Sequence, residues 1–384
     1  MGFKFSHLCD LLSSLEGNRI LKASTAAKNK DLDKRTINNW FNRHSKRIHD
    51  INTDSLAFLS CLLPERRTDR VYWLQDASLS RVIGRCLLLG ISRNAELDHW
   101  RAIGGHDLGQ CVENVMRQAE NSIIPGQEVT TEEIDVALNK IASRCRFSGP
   151  HVRRQHAAVD VDDALRPLYR RLGSRDAKWL TRMILKSYSP VVLPLNHVLR
   201  NFHFLLPDLL LFQDSFDAAI SLLASTPLSQ FPPRPETGAA KGFATKAIEY
   251  LTPRIGIKVG RRDFYKARSI KHCCKMAGHR RMSLERKYDG EYCQIHIDLS
   301  KSRDCIQIFS KSGKDSTADK FGVHDVLRQS LRIGLAGCKF SSRCILEGEL
   351  LVWSDKTENI LEFHNLRKFI ARSGTFIGTD NDSQ

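Results

Sequence analysis

No apolar run in this chain approaches the roughly 18 residues that a helix needs to cross a bilayer. No basic head, apolar centre and small-residue cleavage site mark a secretory leader either, so neither membrane insertion nor export is expected. CxxC pairs are missing as well. The eleven cysteines lie mostly inside apolar runs, such as Cys61 before Leu62 and Cys86 before Leu87, and only Cys273 and Cys274 stand together. That scatter excludes a regularly spaced disulfide framework or zinc site and points to reduced, buried thiols in an intracellular protein. Internal repeats and low-complexity tracts are lacking, and 41% hydrophobic with 27% charged residues describes a globular chain and not a disordered one. Acidic residues are the last shortage. Against 43 Asp and Glu stand 59 Lys and Arg, a net charge of +16, and the commonest partners of such a surface are nucleic acids or anionic membranes.

The 384 residues are enough for two to three domains. Residues 1–225 read as helix after helix: Leu8, Leu11, Leu12 and Leu15 recur at helical spacing. In the run Ser174 to Lys186, Trp179, Leu180, Met183 and Ile184 form one apolar face, with Ser174 as the expected N-cap. Lys178, Arg182 and Lys186 line up on another face, and together with Arg170, Arg171 and Arg175 they make a dense basic region suited to phosphates. Trp40-Phe41 superficially matches a homeodomain helix, but the basic arm is missing and both are expected in the core. Residues 226–242 hold four prolines and two of the glycines and are expected to be an interdomain linker. From 243 to 384 the period changes to 2. Residues 291–299 and 305–310 alternate as a hairpin, Val323, Val326, Leu327 and Leu331 mark one helix, and 345–353 returns to strand. His272, Cys273, Cys274 and His279 are poorly spaced for a tetrahedral metal.

The chemistry concentrates around Glu285-Arg286-Lys287-Tyr288-Asp289-Gly290, just before the first strand. An amine can attack phosphorus when it is neutral, a glycine lets a phosphate approach the backbone, and carboxylates support ribose or a metal. Lys287 can be that amine. Glu347 and Glu349 share one face of a later strand, and Glu349 can support a nucleotide together with Asp289. Lys-Tyr-Asp-Gly alone would also serve as hairpin chemistry.

The order of the pieces carries more. Glu285 to Gly290 resembles motif I of the ATP-dependent DNA ligases. Ile306 to Thr317 is similar to their motif Ia, with Lys311 and Ser312 where Arg and Asn are usual. Ile345 to Val352 is similar to motif III, and Phe363 to Lys368 to the Phe-x-x-Leu-x-x-Arg stretch that follows it. Ser174 to Lys186 and Val198 to His203 resemble helices of the amino-terminal domain of eukaryotic, fungal-type ligases, with a leaning to the ligase IV branch. The resemblance implies a multidomain α + α/β protein: an all-helical DNA-binding domain over 1–225, a linker over 226–242, and over 243–384 the first part of an ATP-grasp-like nucleotidyltransferase (adenylation) domain with antiparallel strands. It implies Lys287 as nucleophile, with Glu285, Arg286, Tyr288, Asp289, Gly290, Tyr292 and Glu349 around ATP. Glu349 would hold Mg2+, and Lys311, Ser312, Lys178, Arg182 and Lys186 would contact DNA.

Further expectations follow from the resemblance. The partner would be double-stranded DNA with nicks or ends, and not a membrane; the setting would be repair and recombination in the nucleus. No BRCT region for a protein partner is read in this chain. Tyr292 replaces an arginine that contacts ribose in the family. Motifs IV and V and the OB-fold are not read here, so this chain alone is expected not to seal nicks. Two alternatives stay open: a non-catalytic DNA-binding remnant of a ligase, and an RNA-capping-type nucleotidyltransferase, which would not need the helical region.

Overall fold

A computed structural model describes residues 2–24, 31–155, 159–261 and 264–365. The chain divides into two compact units, Met1–Leu210 with Ser215–Leu251, and Leu211–Asp214 with Thr252–Gln384.

The first unit is all helical among its described residues. Helix Phe5–Ser24 buries Leu8, Leu11, Leu12 and Leu15, the leucines whose spacing announces it. Trp40 and Phe41 of helix Leu32–Ile48 are core residues, and the Trp40 indole donates to the His7 carbonyl at 2.8 Å. Helix starts follow local chemistry. Asp54 accepts from the backbone of Leu56 and Ala57, and Thr130 forms a reciprocal capping box with Glu133.

Helices Leu108–Arg117 and Ser174–Ile184 cross closely at Gly109. A Cβ there would sit 2.8 Å from Arg182 Cγ and 3.0 Å from the Lys178 carbonyl, so only glycine lets the two backbones approach. Ser174 is not the cap of its helix: Gly173 holds that position, and the first-turn N–H of the buried Ser174 donates instead to Glu120 Oε1 at 2.7 Å. A long side chain from another segment has replaced the local cap that sequence alone suggests.

The expected linker is likewise part of this unit. Prolines do break the helix, but Leu228 is fully buried in the core, the Pro233 carbonyl accepts from Phe204, and Arg234 reaches Asn201 and Phe41. A new helix, Thr237–Ala247, starts as soon as the prolines end. Composition reported where helices stop, not whether the intervening chain packs; the unit boundary falls at Leu251.

The second unit is built on three antiparallel strands, β1 (Glu291–Asp298), β2 (Ile306–Ser310) and β3 (Arg343–Leu350), in the order β2-β1-β3. Cys293, Ile295 and Ile297 meet Ile306 and Ile308 in a core backed by Leu327, Leu331 and Leu346. Val326, expected beside them, is exposed.

The other face of β1 is buried too, although it carries Gln294 and His296. The segment around Gly256–Val259 covers it. Gln294 Oε1 accepts from the Val259 N–H at 2.6 Å, its amide donates to the Val259 carbonyl at 3.2 Å, and His296 Nδ1 accepts from Gly256 at 3.1 Å. Lys258 turns inward to Asp214 at 3.0 Å. The strand expected over 345–353 ends at Leu350, and a two-stranded ribbon follows, β4 (Trp353–Ser354) and β5 (Asn359–Ile360).

Candidate active site

Gly290 is the hinge on which the site is built. It lies just ahead of β1, where a Cβ would fall onto the Leu350 carbonyl and within 2.8 Å of Glu349 Cγ. The glycine therefore lets the Glu285–Asp289 loop pass directly over the end of β3. Lys287 and its neighbours are exposed in a segment without regular secondary structure. With β5 and the turn after it they form an open cleft of about 640 Å³, lined on one side by Arg286, Lys287, Tyr288 and Asp289 and on the other by Asn359 to His364. Arg286 stacks over the Tyr288 ring at 5.1 Å. Phe363 and His364, the first residues of the expected Phe-x-x-Leu-x-x-Arg stretch, line the cleft; Leu366, Arg367 and Lys368 lie outside the described residues.

Glu285, Tyr292 and Glu349 do not line this cleft. Tyr292 pairs with Glu349, and Gln294 with Glu347, across β1 and β3, so the four side chains share one face of the sheet. Sequence reasoning missed the residue that completes that face. Arg261 follows the covering segment, and its guanidinium sits 4.6 Å from the Tyr292 ring centroid and 3.9 Å from Glu347 Oε1. The face thus regains a cation where Tyr292 removes one. Burial, then the Glu347 carboxylate, pushes the Tyr292 phenol up to about 12, so it stays a protonated donor. The signal available in sequence was the pair Gln294 and His296: polar, uncharged residues in a strand need partners, and these partners position Arg261.

Lys311 and Ser312 are exposed at the turn after β2, which Gly313 closes with φ of 89°. Ser310 Oγ accepts from the Lys314 backbone at 3.1 Å and lies 3.1 Å from Ser312 Oγ, so the turn is held from within.

Lys178, Arg182 and Lys186 are corrected. Lys178 and Arg182 are buried, each 4% exposed. Lys178 Nζ is 2.8 Å from both Glu16 and Glu113; Arg182 reaches Glu16 at 2.8 Å and Asp107 at 2.7 Å. The Lys186 amine donates to the Arg67 and Arg70 carbonyls at 2.5 Å each, and burial lowers its pKa to about 8. Lys178 and Arg182 do share a face, but that face meets Glu16, Glu113 and Asp107 from two other helices, while the helix ends at Ile184 and Lys186 lies past it with φ of 56°. These side chains tie the helical unit together and leave nothing for a phosphate.

Among the described residues no three His, Cys, Asp or Glu side chains gather at metal-binding distance. The donor set that is present, the exposed Glu349 carboxylate near the Lys287 loop, fits Mg2+ carried on nucleotide phosphates, which takes one or two protein carboxylates.

Two family models match the chain: DNA ligase N terminus over residues 4–192 and ATP dependent DNA ligase domain over residues 265–380. The second spans the whole Lys287 cleft. Similar curated proteins include DNA ligase 4 of Dictyostelium discoideum, 24% identical over 94% of this chain and 32% of that protein. DNA ligase 4 of Coprinopsis cinerea is 26% identical over 87% of this chain and 30% of its own length, and that of Arabidopsis thaliana 23% identical over 81% and 23%. The chain spans about a third or less of the length of these relatives. With a helical DNA ligase N-terminal domain followed by an ATP-dependent ligase domain, the chain belongs to the ATP-dependent DNA ligases.

Proposed function

We propose that the chain transfers adenylate from ATP to Lys287 and onward to DNA ends, as the ligase that its domains and its DNA ligase 4 relatives suggest. The observation that carries this is the cleft: Lys287 is exposed at its wall, in a loop that Gly290 lays over Glu349. Lys287 Nζ attacks the α-phosphorus of ATP; a P–N bond forms, the bond to the bridging oxygen breaks, pyrophosphate leaves and the ammonium proton passes to solvent. A 5′-phosphate oxygen then attacks the adenylate phosphorus and the P–N bond to Lys287 breaks; displacement of AMP by the 3′-hydroxyl, which joins the strands, is the step this chain alone is not expected to complete.

Glu285, Arg286, Tyr288, Asp289, Gly290, Tyr292 and Glu349 are the residues of this chain assigned to the nucleotide. Tyr288 offers a half-exposed ring next to Lys287, and the phenol of Tyr292 donates while Arg261 supplies charge. Glu349 would be the protein carboxylate for Mg2+ carried on ATP, which would offset charge on the departing pyrophosphate. Lys311 and Ser312 are assigned to the DNA backbone. The setting is DNA repair and recombination in the nucleus.

The test is incubation of the chain with Mg2+ and ATP labelled at the α-phosphate, beside Lys287→Ala. Label on denatured wild type and none on the variant is expected. No label on a folded wild type that still binds DNA would turn the reading to a DNA-binding remnant.

A further inference from the structure

The +16 charge must be displayed somewhere, and the basic helix expected to display it is buried in ion pairs. A dense run of uncompensated charge lies instead in the segment that leads to Lys287. Between Phe264 and Lys287 the only acid is Glu285, while Lys266, Arg268, Lys271, Lys275, Arg280 and Arg281 are all exposed. None of the six is paired with an acid among the described residues, and of them Arg280 donates to the Ala277 and Met276 carbonyls at the end of the helix.

Helix Ile270–Ala277 organises them. Ser269 caps it by accepting from the His272 N–H, and Lys271 and Lys275, one turn apart, share a face. Phe264 and Tyr265, just before the helix, are 74% and 84% exposed. Unpaired cations interleaved with exposed aromatic rings are what a polyanion with stackable groups requires; an acidic protein would need no rings.

Resting on the ligase reading above, we propose that residues 264–281 form a clamp for the phosphate backbone of nicked duplex DNA, holding the break beside Lys287. Phosphates take the lysines and arginines, and Phe264 and Tyr265 pack on the sugar and base exposed at the interruption. Binding by such contacts is salt-dependent and indifferent to sequence.

The test uses the full chain and a fluorescein-labelled duplex with a single nick, followed by anisotropy from about 50 to 300 mM KCl. Two variants each lose four charges: K266Q/R268Q/K271Q/K275Q, and a control, R35Q/R43Q/K46Q/R47Q, on an exposed face of helix Leu32–Ile48. Circular dichroism confirms folding. The first variant is expected to bind at least about tenfold more weakly at the lowest salt, with a log–log salt slope shallower by roughly 2–4, and the control to stay within about threefold of wild type.

Unchanged affinity and slope in the first variant would overturn the clamp while leaving DNA binding intact. An equal loss in the control would overturn it too, because net charge would then suffice. A wild type that ignores DNA at every salt would sink the ligase reading itself. Preferential binding of the wild type to phosphatidylserine vesicles would mean that the segment serves a membrane surface.

Discussion

Arg261 and Tyr292 work as a pair, and their roles separate by experiment. The guanidinium is 39% exposed and contacts both the Tyr292 ring and Glu347, so it is free to reorient toward a ligand phosphate without crossing a buried barrier. Arg261→Ala is expected to weaken ATP binding about 5- to 20-fold by titration calorimetry, the order of one charge-assisted contact. Tyr292→Arg in that background is expected to recover most of the loss; no recovery would show that Arg261 acts structurally.

Gly290→Ala sits at the opposite extreme. Its Cβ has no room beside Leu350 and Glu349, so the loop must lift off β3. Adenylate transfer to Lys287 should fall by at least about tenfold with little change in the melting of the helical unit, since a displacement near 1 Å at a reacting group costs on that order or more.

At the scale of elements, the side chains of one strand position a segment that carries no regular structure. Gln294 mimics a neighbouring strand by both accepting from and donating to Val259, and thereby aims the chain toward Arg261. Gln294→Leu should therefore reproduce the Arg261→Ala loss of ATP affinity, and the double variant should be no worse than either, the signature of coupled residues.

The ion pairs of the helical unit make a different prediction. Lys178 bridges Glu16 and Glu113; burial works against ionisation of Glu113, yet the Lys178 amine holds its carboxyl below the ordinary range. Lys178→Ala removes one partner from each acid, leaving Glu16 with Arg182 and Glu113 with Arg117 and Gln110, at a cost of about 1–3 kcal/mol. Chemical denaturation should register that cost, while DNA affinity of the protein that remains folded should not change. A loss of DNA affinity without a loss of stability would return Lys178 to the interface.

The molecule as a whole should be acid-sensitive. Burial lowers His44, His203 and His296 to about 4, with His7 adding to the effect at His44 and His49 at His203. The unfolded chain takes up these protons near pH 6.5, before the folded one can. Stability from these groups is thus fully present above about pH 6.5 and is lost as pH falls toward 4. Thermal midpoints should drop across that window. His44 packs among Phe3, Trp40 and His7, and its Nδ1 is buried without a partner. His44→Phe should flatten part of the dependence in the helical unit, and an unchanged pH profile would count against this origin.

Sequence by itself determined what periodicity and short-range chemistry can encode. The leucine spacing of Phe5–Ser24, the alternation of β1 and β2, the Lys287–Gly290 loop ahead of a strand and the shared face of Glu347 and Glu349 all depend on neighbours along one element, and all stand in the structure. Tertiary structure alone decided the direction of charge. Whether Lys178 meets Glu16 or solvent depends on which helix lies opposite, and whether residues 226–242 pack depends on a distant core. Nothing in the local sequence of either carries that information. The polar face of β1 shows the same division: sequence places Gln294 and His296 on it, but only the packed chain brings Val259 to cover them and leaves Arg261 over Tyr292.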